Sequence, residues 1–98
     1  MLYAVCNNNA TENKAINIPY FELTQGVTIH VLFVNTNERE EPTLNINNGA
    51  TVPIYLDGTT PVGTTPATSW LDNSVVTLTF TGNKWITAPI GSSLFKIK

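Results

Sequence analysis

Residues 27–34, Val27-Thr28-Ile29-His30-Val31-Leu32-Phe33-Val34, carry the clearest structural signal in this sequence of 98 residues. Every second residue from Val27 to Phe33 is apolar, and successive side chains of a strand point to opposite faces, so the stretch predicts a β-strand. Its second face also becomes apolar towards Val34, which indicates a central strand covered partly on both sides. Similar alternation or short apolar runs predict further strands at Leu2–Cys6, Lys14–Ile18, Tyr20–Leu23, Thr43–Asn47, Val52–Leu56, Ser74–Phe80, Trp85–Ala88 and Leu94–Lys98.

The composition favours the same fold class. The chain holds 15 Thr and 12 Asn, and Thr suits a pleated strand whereas Asn suits turns. Turn signals such as Asn48-Gly49, Asp57-Gly58 and Thr81–Lys84 separate the predicted strands. Many short strands with such turns indicate a β-sandwich or a small barrel. Of the two we expect an all-β, antiparallel, jelly-roll-like β-sandwich of roughly seven to nine short strands, with residues 1–98 forming a single domain.

Two local predictions follow from the alternating pattern and the turn chemistry. Asn48-Gly49 predicts a tight turn in which Gly49 has a positive φ, because glycine adopts that conformation without a steric penalty. The apolar faces of the alternating strands predict a buried core that contains Ile29, Val31, Phe33, Leu44, Ile46, Leu78 and Phe80.

Charge and hydropathy exclude several classes of protein. The net charge is −2 with 12% charged residues, whereas a nucleic-acid binder needs a basic surface for phosphate contacts. Apolar runs such as Val31–Val34 are far shorter than the ~20 residues that span a bilayer. We therefore expect neither nucleic-acid binding nor membrane insertion.

The sequence gives little support to catalysis. His30 is the only histidine and Cys6 the only cysteine, so a histidine-dependent triad would rest on one mid-strand residue and no zinc ligand set is present. Asp57 and Asp72 could form an acid pair, but each lies beside a turn residue, where Asp is expected for backbone reasons. We expect no catalytic residue, no metal and no cofactor.

The aromatic residues at strand ends and loops are the better binding candidates. Tyr55, Trp70 and Trp85 could stack on sugar rings while neighbouring Asn and Thr side chains bond the hydroxyls. The competing interpretation is core and rim packing, since Trp is usually largely buried. Any ligand contact is expected from loops, above all Thr59–Trp70.

The order of residues from about 5 to 87 resembles a β-rich module that recurs in tail fibre, tail spike and baseplate-associated proteins of bacteriophages and prophages. The most specific part is Pro42–Asn47 with the following Gly49-Ala50 and Pro53-Ile54. The remaining matching positions are Cys6, Ala10-Thr11, Lys14, Ile16, Ile18, Phe21, Leu23, Gly26, Ile29, Val31, Phe33, Asn37 and Thr81–Trp85.

The resemblance implies a structural or receptor-engaging module of a phage particle and not an enzyme. It implies a homotrimer, partners among other tail or baseplate proteins, and a host-surface glycan or protein as ligand. The module would be made in the bacterial host cytoplasm and carried in the virion tail. The acidic loop Asn35–Glu41 and the Thr- and Pro-rich loop Thr59–Ser69 depart from the pattern, and we expect partner choice to vary there. A free-standing carbohydrate-binding module and a small hydrolase are the alternatives.

Overall fold

The computed structural model of the chain describes residues 2–7 and 11–88. All regular structure in these residues is strand, and none of them belongs to a helix that could cross a membrane. The all-β class predicted from the sequence is confirmed. The strands are β1 (Tyr3–Cys6), β2 (Asn13–Ile16), β3 (Thr28–Phe33), β4 (Thr43–Ile46), β5 (Val52–Tyr55), β6 (Ser74–Phe80) and β7 (Trp85–Thr87). The strand predicted at Leu94–Lys98 lies outside the described residues.

The seven strands form one mixed sheet in the order β1-β3-β6-β7-β5-β4-β2. Its two outer strands, β1 and β2, also contact each other, so the sheet is nearly closed into a barrel. The pairs β3–β6, β4–β5 and β6–β7 are antiparallel. The pairs β1–β3, β2–β4 and β5–β7 are parallel.

This pairing does not confirm the antiparallel, jelly-roll-like sandwich. Alternation along a strand specifies which side chains face the core, but not which strand is the neighbour or in which direction it runs. The β4–β5 and β6–β7 connections are short, which requires antiparallel pairing, and both hairpins were predictable. Each parallel pair is joined by a long connection, and no local pattern reveals that partnership. The small barrel, the other architecture that the strand pattern allowed, is the closer description.

The core lies on the inner face of the curled sheet. Burial alternates along β3 and β6, the two longest strands, as the sequence pattern predicts. All seven predicted core residues are buried: Ile29, Val31, Phe33, Leu44, Ile46, Leu78 and Phe80.

The β4–β5 turn lies one residue earlier than predicted. Asn47 and Asn48 have left-handed backbones with φ of 58° and 60°, and the Gly49 amide donates to the Ile46 carbonyl at 3.0 Å. Positive φ at both central positions is typical of a type I′ turn, and Asn tolerates it. The prediction of a positive φ at Gly49 is therefore wrong. A Cβ at Gly49 would lie 3.1 Å from the Ile46 carbonyl oxygen, so any larger residue at this position would crowd that carbonyl.

The strand predicted at Tyr20–Leu23 is a loop. Tyr20 has a φ of 60° and a fully exposed side chain, and the Phe21 amide donates to the Ile18 carbonyl at 3.2 Å. Because the chain turns at Tyr20, Phe21 and Leu23 lie beside the sheet as loop side chains.

The Thr59–Ser69 segment returns along β5 instead of remaining a surface loop throughout. The Leu56 amide donates to the Thr60 carbonyl at 2.7 Å, and the Val62 amide donates to the Ile54 carbonyl at 3.1 Å. Val62 and Ser69 are fully buried. This segment therefore contributes to the core, which the Pro and Gly content of the sequence did not indicate.

Candidate functional site

A pocket of about 290 Å³ lies between the β4–β5 hairpin and the loop that follows Tyr20. Its size is near the lower limit of small-molecule sites, which measure roughly 300–1,000 Å³. Asn47, Gly49 and Ala50 contribute from the hairpin turn. The apolar lining residues are Phe21, Leu23, Leu44, Ile46, Val52 and Trp85.

The side chain of Asn47 holds the two sides of this pocket together. Its Oδ1 accepts a hydrogen bond from the Ile18 amide at 2.9 Å, and its Nδ2 donates to the Ile18 carbonyl at 2.8 Å. The Asn47 amide also donates to the Ile16 carbonyl at 2.9 Å. Both polar atoms of the Asn47 side chain are thus engaged with backbone. Asn47 positions the pocket and has little capacity left to bind a ligand directly.

Trp85 forms one wall of the pocket at the start of β7. Its ring packs at an angle against Phe80, with centroids 5.5 Å apart, and against Phe21 at 6.5 Å. Only 1% of Trp85 is exposed, and among the described residues its indole Nε1 has no hydrogen-bond partner. A buried donor without a partner is costly.

The pocket is apolar and electrically neutral. None of the described residues that line it carries a charge, so the lining suits an uncharged, ring-sized group bound by shape and apolar contact. Nothing in this arrangement supplies a nucleophile or a proton donor.

Trp70, the strongest loop candidate from the sequence, has a structural role. Its ring stacks on Phe33 with centroids 3.8 Å apart and planes 16° apart, and its Nε1 donates to the Asn35 carbonyl at 2.8 Å. Trp70 is only 2% exposed, which leaves no free ring face for a sugar. The burial favours the packing interpretation, and Trp70→Ala is expected to lower the melting temperature.

The structure does not gather Tyr55, Trp70 and Trp85 into one binding surface. Tyr55 is half-buried on β5, and the Lys84 Nζ lies 5.2 Å from its ring centroid in a cation–π contact. Trp85 lines the pocket, whereas Trp70 stacks on Phe33 and is not among the lining residues. Of the three, Trp85 alone contributes to the pocket.

The acidic candidates have turn and loop roles. The Asp57 carboxylate accepts hydrogen bonds from the Thr59 and Thr60 amides at 2.8 and 2.9 Å, which lower the pKa of Asp57. Asp72 accepts from the Thr36 amide at 2.7 Å and from the Thr36 hydroxyl at 3.0 Å. Asp57 therefore organises its own turn, whereas Asp72 joins the segment before β6 to the loop that follows β3.

The remaining titratable candidates are built into the sheet. His30 Nδ1 lies 3.2 Å from the Thr77 hydroxyl across β3–β6, and Cys6 is buried. Lys14 is fully buried, and its Nζ donates to the Thr11 carbonyl at 2.8 Å. Burial lowers the pKa of Lys14, while Cys6 and Glu38 oppose that shift. Among the described residues, no group of three or more His, Cys, Asp or Glu side chains could hold a metal ion.

Sequence reasoning missed most of the pocket because its walls come from residues that it assigned to the core or to a strand. The alternating pattern predicts Phe21 and Leu23 on a strand and Leu44 and Ile46 in the core. The available signal was the Asn47-Asn48 pair itself, since two consecutive residues that tolerate positive φ mark a type I′ turn. That signal locates the hairpin but not the loop that faces it.

Comparisons of the chain with models of protein families, with curated proteins and with solved structures find no match.

Proposed function

We propose that the chain is a non-enzymatic structural and attachment module of a bacteriophage tail fibre or a related tail structure, which supports recognition of the host surface. The observation that carries the proposal is the distribution of charge over the barrel. Within the seven strands, Lys14 is the one Lys, Arg, Asp or Glu residue, and it is buried. The outward strand faces are therefore free of these charged side chains.

Such faces suit a module that packs against other proteins. Burying an unpaired charge at an interface costs several kcal/mol, whereas Thr and Asn side chains hydrate well and also form neutral contacts. The charged side chains Glu38, Arg39, Glu40 and Glu41 lie exposed in the loop before β4. Loops can vary with the partner while the barrel stays constant.

The proposed partners are other tail or baseplate proteins, and the proposed ligand is a host-surface glycan or protein. The module is made in the host cytoplasm and carried in the virion. The threefold assembly that the sequence resemblance implies belongs to the same proposal.

Reconstitution tests the structural half of the proposal. The purified chain is mixed with the tail or baseplate proteins encoded beside its gene and analysed by size-exclusion chromatography, where we expect a complex. Thr28→Lys places a charge on the exposed outward face of β3 and should weaken the complex. Thr24→Lys places the same charge in an exposed loop and should not. Absence of a complex with any of these proteins contradicts the proposal.

A free-standing carbohydrate-binding module is the second candidate, because Phe21 and Leu23 line an apolar pocket at the surface. Trp85 is only 1% exposed, so it supports the pocket and, like Trp70, has no ring face free for a sugar. A glycan array separates it from a scaffold. Under this candidate the wild-type chain binds a glycan without any tail protein. Ala50→Leu fills the pocket and abolishes binding, and Thr51→Leu, an exposed neighbouring change outside the lining, leaves binding intact.

A further inference from the structure

The β4–β5 turn carries the one Asn-Gly dipeptide of the sequence, Asn48-Gly49. Asparagine is a chemically labile residue, because the backbone nitrogen of the next residue can attack its side-chain amide. Glycine in that next position has no side chain to hinder the attack, whereas each of the other asparagines precedes a residue with a side chain. The Asn48 side chain is exposed, so water reaches the reacting amide.

The reaction consumes water and releases ammonia. The Gly49 amide nitrogen gives up its proton and forms a bond to the side-chain carbonyl carbon of Asn48. The bond between that carbon and the side-chain nitrogen breaks, and ammonia leaves, so that a cyclic imide remains. Water then adds to one of the two imide carbonyl carbons and breaks its bond to the Gly49 nitrogen. The product is aspartate or isoaspartate at position 48, and no oxidant or reductant takes part.

The closed turn restrains this reaction. The Gly49 amide donates its proton to the Ile46 carbonyl at 3.0 Å, so the attacking nitrogen keeps its proton while that hydrogen bond is intact. Asn47 holds the turn in place, because its side chain bonds the Ile18 amide at 2.9 Å and the Ile18 carbonyl at 2.8 Å. Local segments open at a lower free-energy cost than the whole domain. The Asn47–Ile18 contact raises that local cost at the reactive turn.

The corresponding Asp-Gly dipeptide, Asp57-Gly58, is protected in a different way. The Asp57 carboxylate accepts hydrogen bonds from the Thr59 and Thr60 amides at 2.8 and 2.9 Å. These bonds lower the pKa of Asp57 and keep its carboxylate ionised, and an ionised carboxylate is a poor target for a nucleophile. The Asn48 side chain is a neutral amide and has no such protection, so the reaction is expected at Asn48.

We propose that Asn48 is a site of spontaneous deamidation and that opening of the β4–β5 turn, restrained by Asn47, sets its rate. The modification alters the pocket, because Asn48 lies between the lining residues Asn47 and Gly49. Aspartate adds a negative charge beside an uncharged lining. Isoaspartate also lengthens the main chain in a turn that has two central residues, so the hairpin loses the geometry that aligns β4 with β5.

Peptide mapping by mass spectrometry tests the proposal on the full-length chain aged at neutral pH. We expect deamidation at Asn48 before any other asparagine, and more slowly than in a synthetic peptide of residues 44–53. Asn47→Ala should speed the reaction in the folded chain by about 5-fold or more, because the open turn is more populated once the hydrogen bonds to Ile18 are lost. Peptides with and without the same substitution supply the reference rate for each chain.

Two controls separate the causes. Ile29→Val weakens the fully buried core on β3, which does not pair with β4 or β5, so it should lower the stability to urea and leave the deamidation rate unchanged. Asn48→Asp adds the charge without the longer main chain, so it should melt at a higher temperature than the isolated isoaspartate form.

Four results would overturn the proposal. They are earlier modification of another asparagine, a folded chain as reactive as the peptide, acceleration by Ile29→Val in proportion to its loss of stability, and an isoaspartate form as stable as Asn48→Asp. None of these results depends on whether the chain binds tail proteins or glycans.

Discussion

The two tryptophans lie in regions that are packed very differently. In the Trp70 cluster (Phe33, Asn35 and Trp70), the rings stack 3.8 Å apart and the indole N–H donates to the Asn35 carbonyl. At the Trp85 pocket, the indole packs at wider centroid distances, its N–H has no partner among the described residues, and open space lies beside the ring. The stacked and hydrogen-bonded indole of Trp70 stabilises the barrel, whereas the space beside Trp85 can accept a ligand.

The largest expected difference comes from truncating one Phe in each region. Phe33→Ala should cost about 3–5 kcal/mol, the usual loss for a buried Phe, because it also removes the stacking partner of Trp70. Phe21→Ala should cost only about 1–2 kcal/mol, because Phe21 is partly buried and already borders open space. Urea unfolding followed by circular dichroism measures both, and equal losses would show that the two regions are equally packed.

The second prediction tests what holds the pocket together. Asn47→Ala should cost about 1–3 kcal/mol more than Asn48→Ala, because it leaves the Ile18 amide and carbonyl without their side-chain partner. Asn48→Ala is the matched control, since both residues have a positive φ and both substitutions introduce the same backbone strain. Thermal or urea unfolding gives the difference. Equal costs would mean that turn geometry alone, and not the contact with Ile18, gives Asn47 its importance.

The third prediction compares the two indole N–H groups. Trp70→Phe should cost roughly 1–2 kcal/mol more than Trp85→Phe, because only the first change leaves a carbonyl, that of Asn35, without its donor. The free energies of unfolding of the two variants check this. A larger loss at Trp85 would indicate that its N–H has a partner in solution.

The smallest expected effect concerns Lys14 on β2, whose buried ammonium donates a hydrogen bond to the Thr11 carbonyl. The pKa of Lys14 is lowered chiefly by burial, so the unfolded chain binds this proton more tightly than the folded chain. Stability should therefore rise with pH between the lowered pKa and the ordinary value of 10.5. Lys14→Met should remove this contribution, so its melting temperature relative to wild type should fall as the pH rises through that window. Parallel pH profiles would contradict the assignment.

The sequence predicted the local structure well. Strand positions, the inward residues of β3 and β6, and the β6–β7 hairpin all follow from period-two alternation and turn chemistry, which act over a few residues. Prediction from the sequence failed where one local pattern is compatible with two different local structures. Tyr20–Leu23 alternates like a strand, but Tyr20 turns the chain, and the polar Thr59–Ser69 segment buries Val62 because β5 offers it hydrogen-bond partners.

By itself, then, the sequence determined an all-β chain whose alternating strands have an apolar inner face. Only the tertiary structure decided that three strand pairs are parallel, that the sheet nearly closes, and that Trp70 is packed whereas Trp85 borders a pocket. The physical reason is the separation in sequence over which each effect acts. Side-chain alternation and turn preference act between neighbours in the chain, but strand partners and cavities arise between residues far apart in sequence.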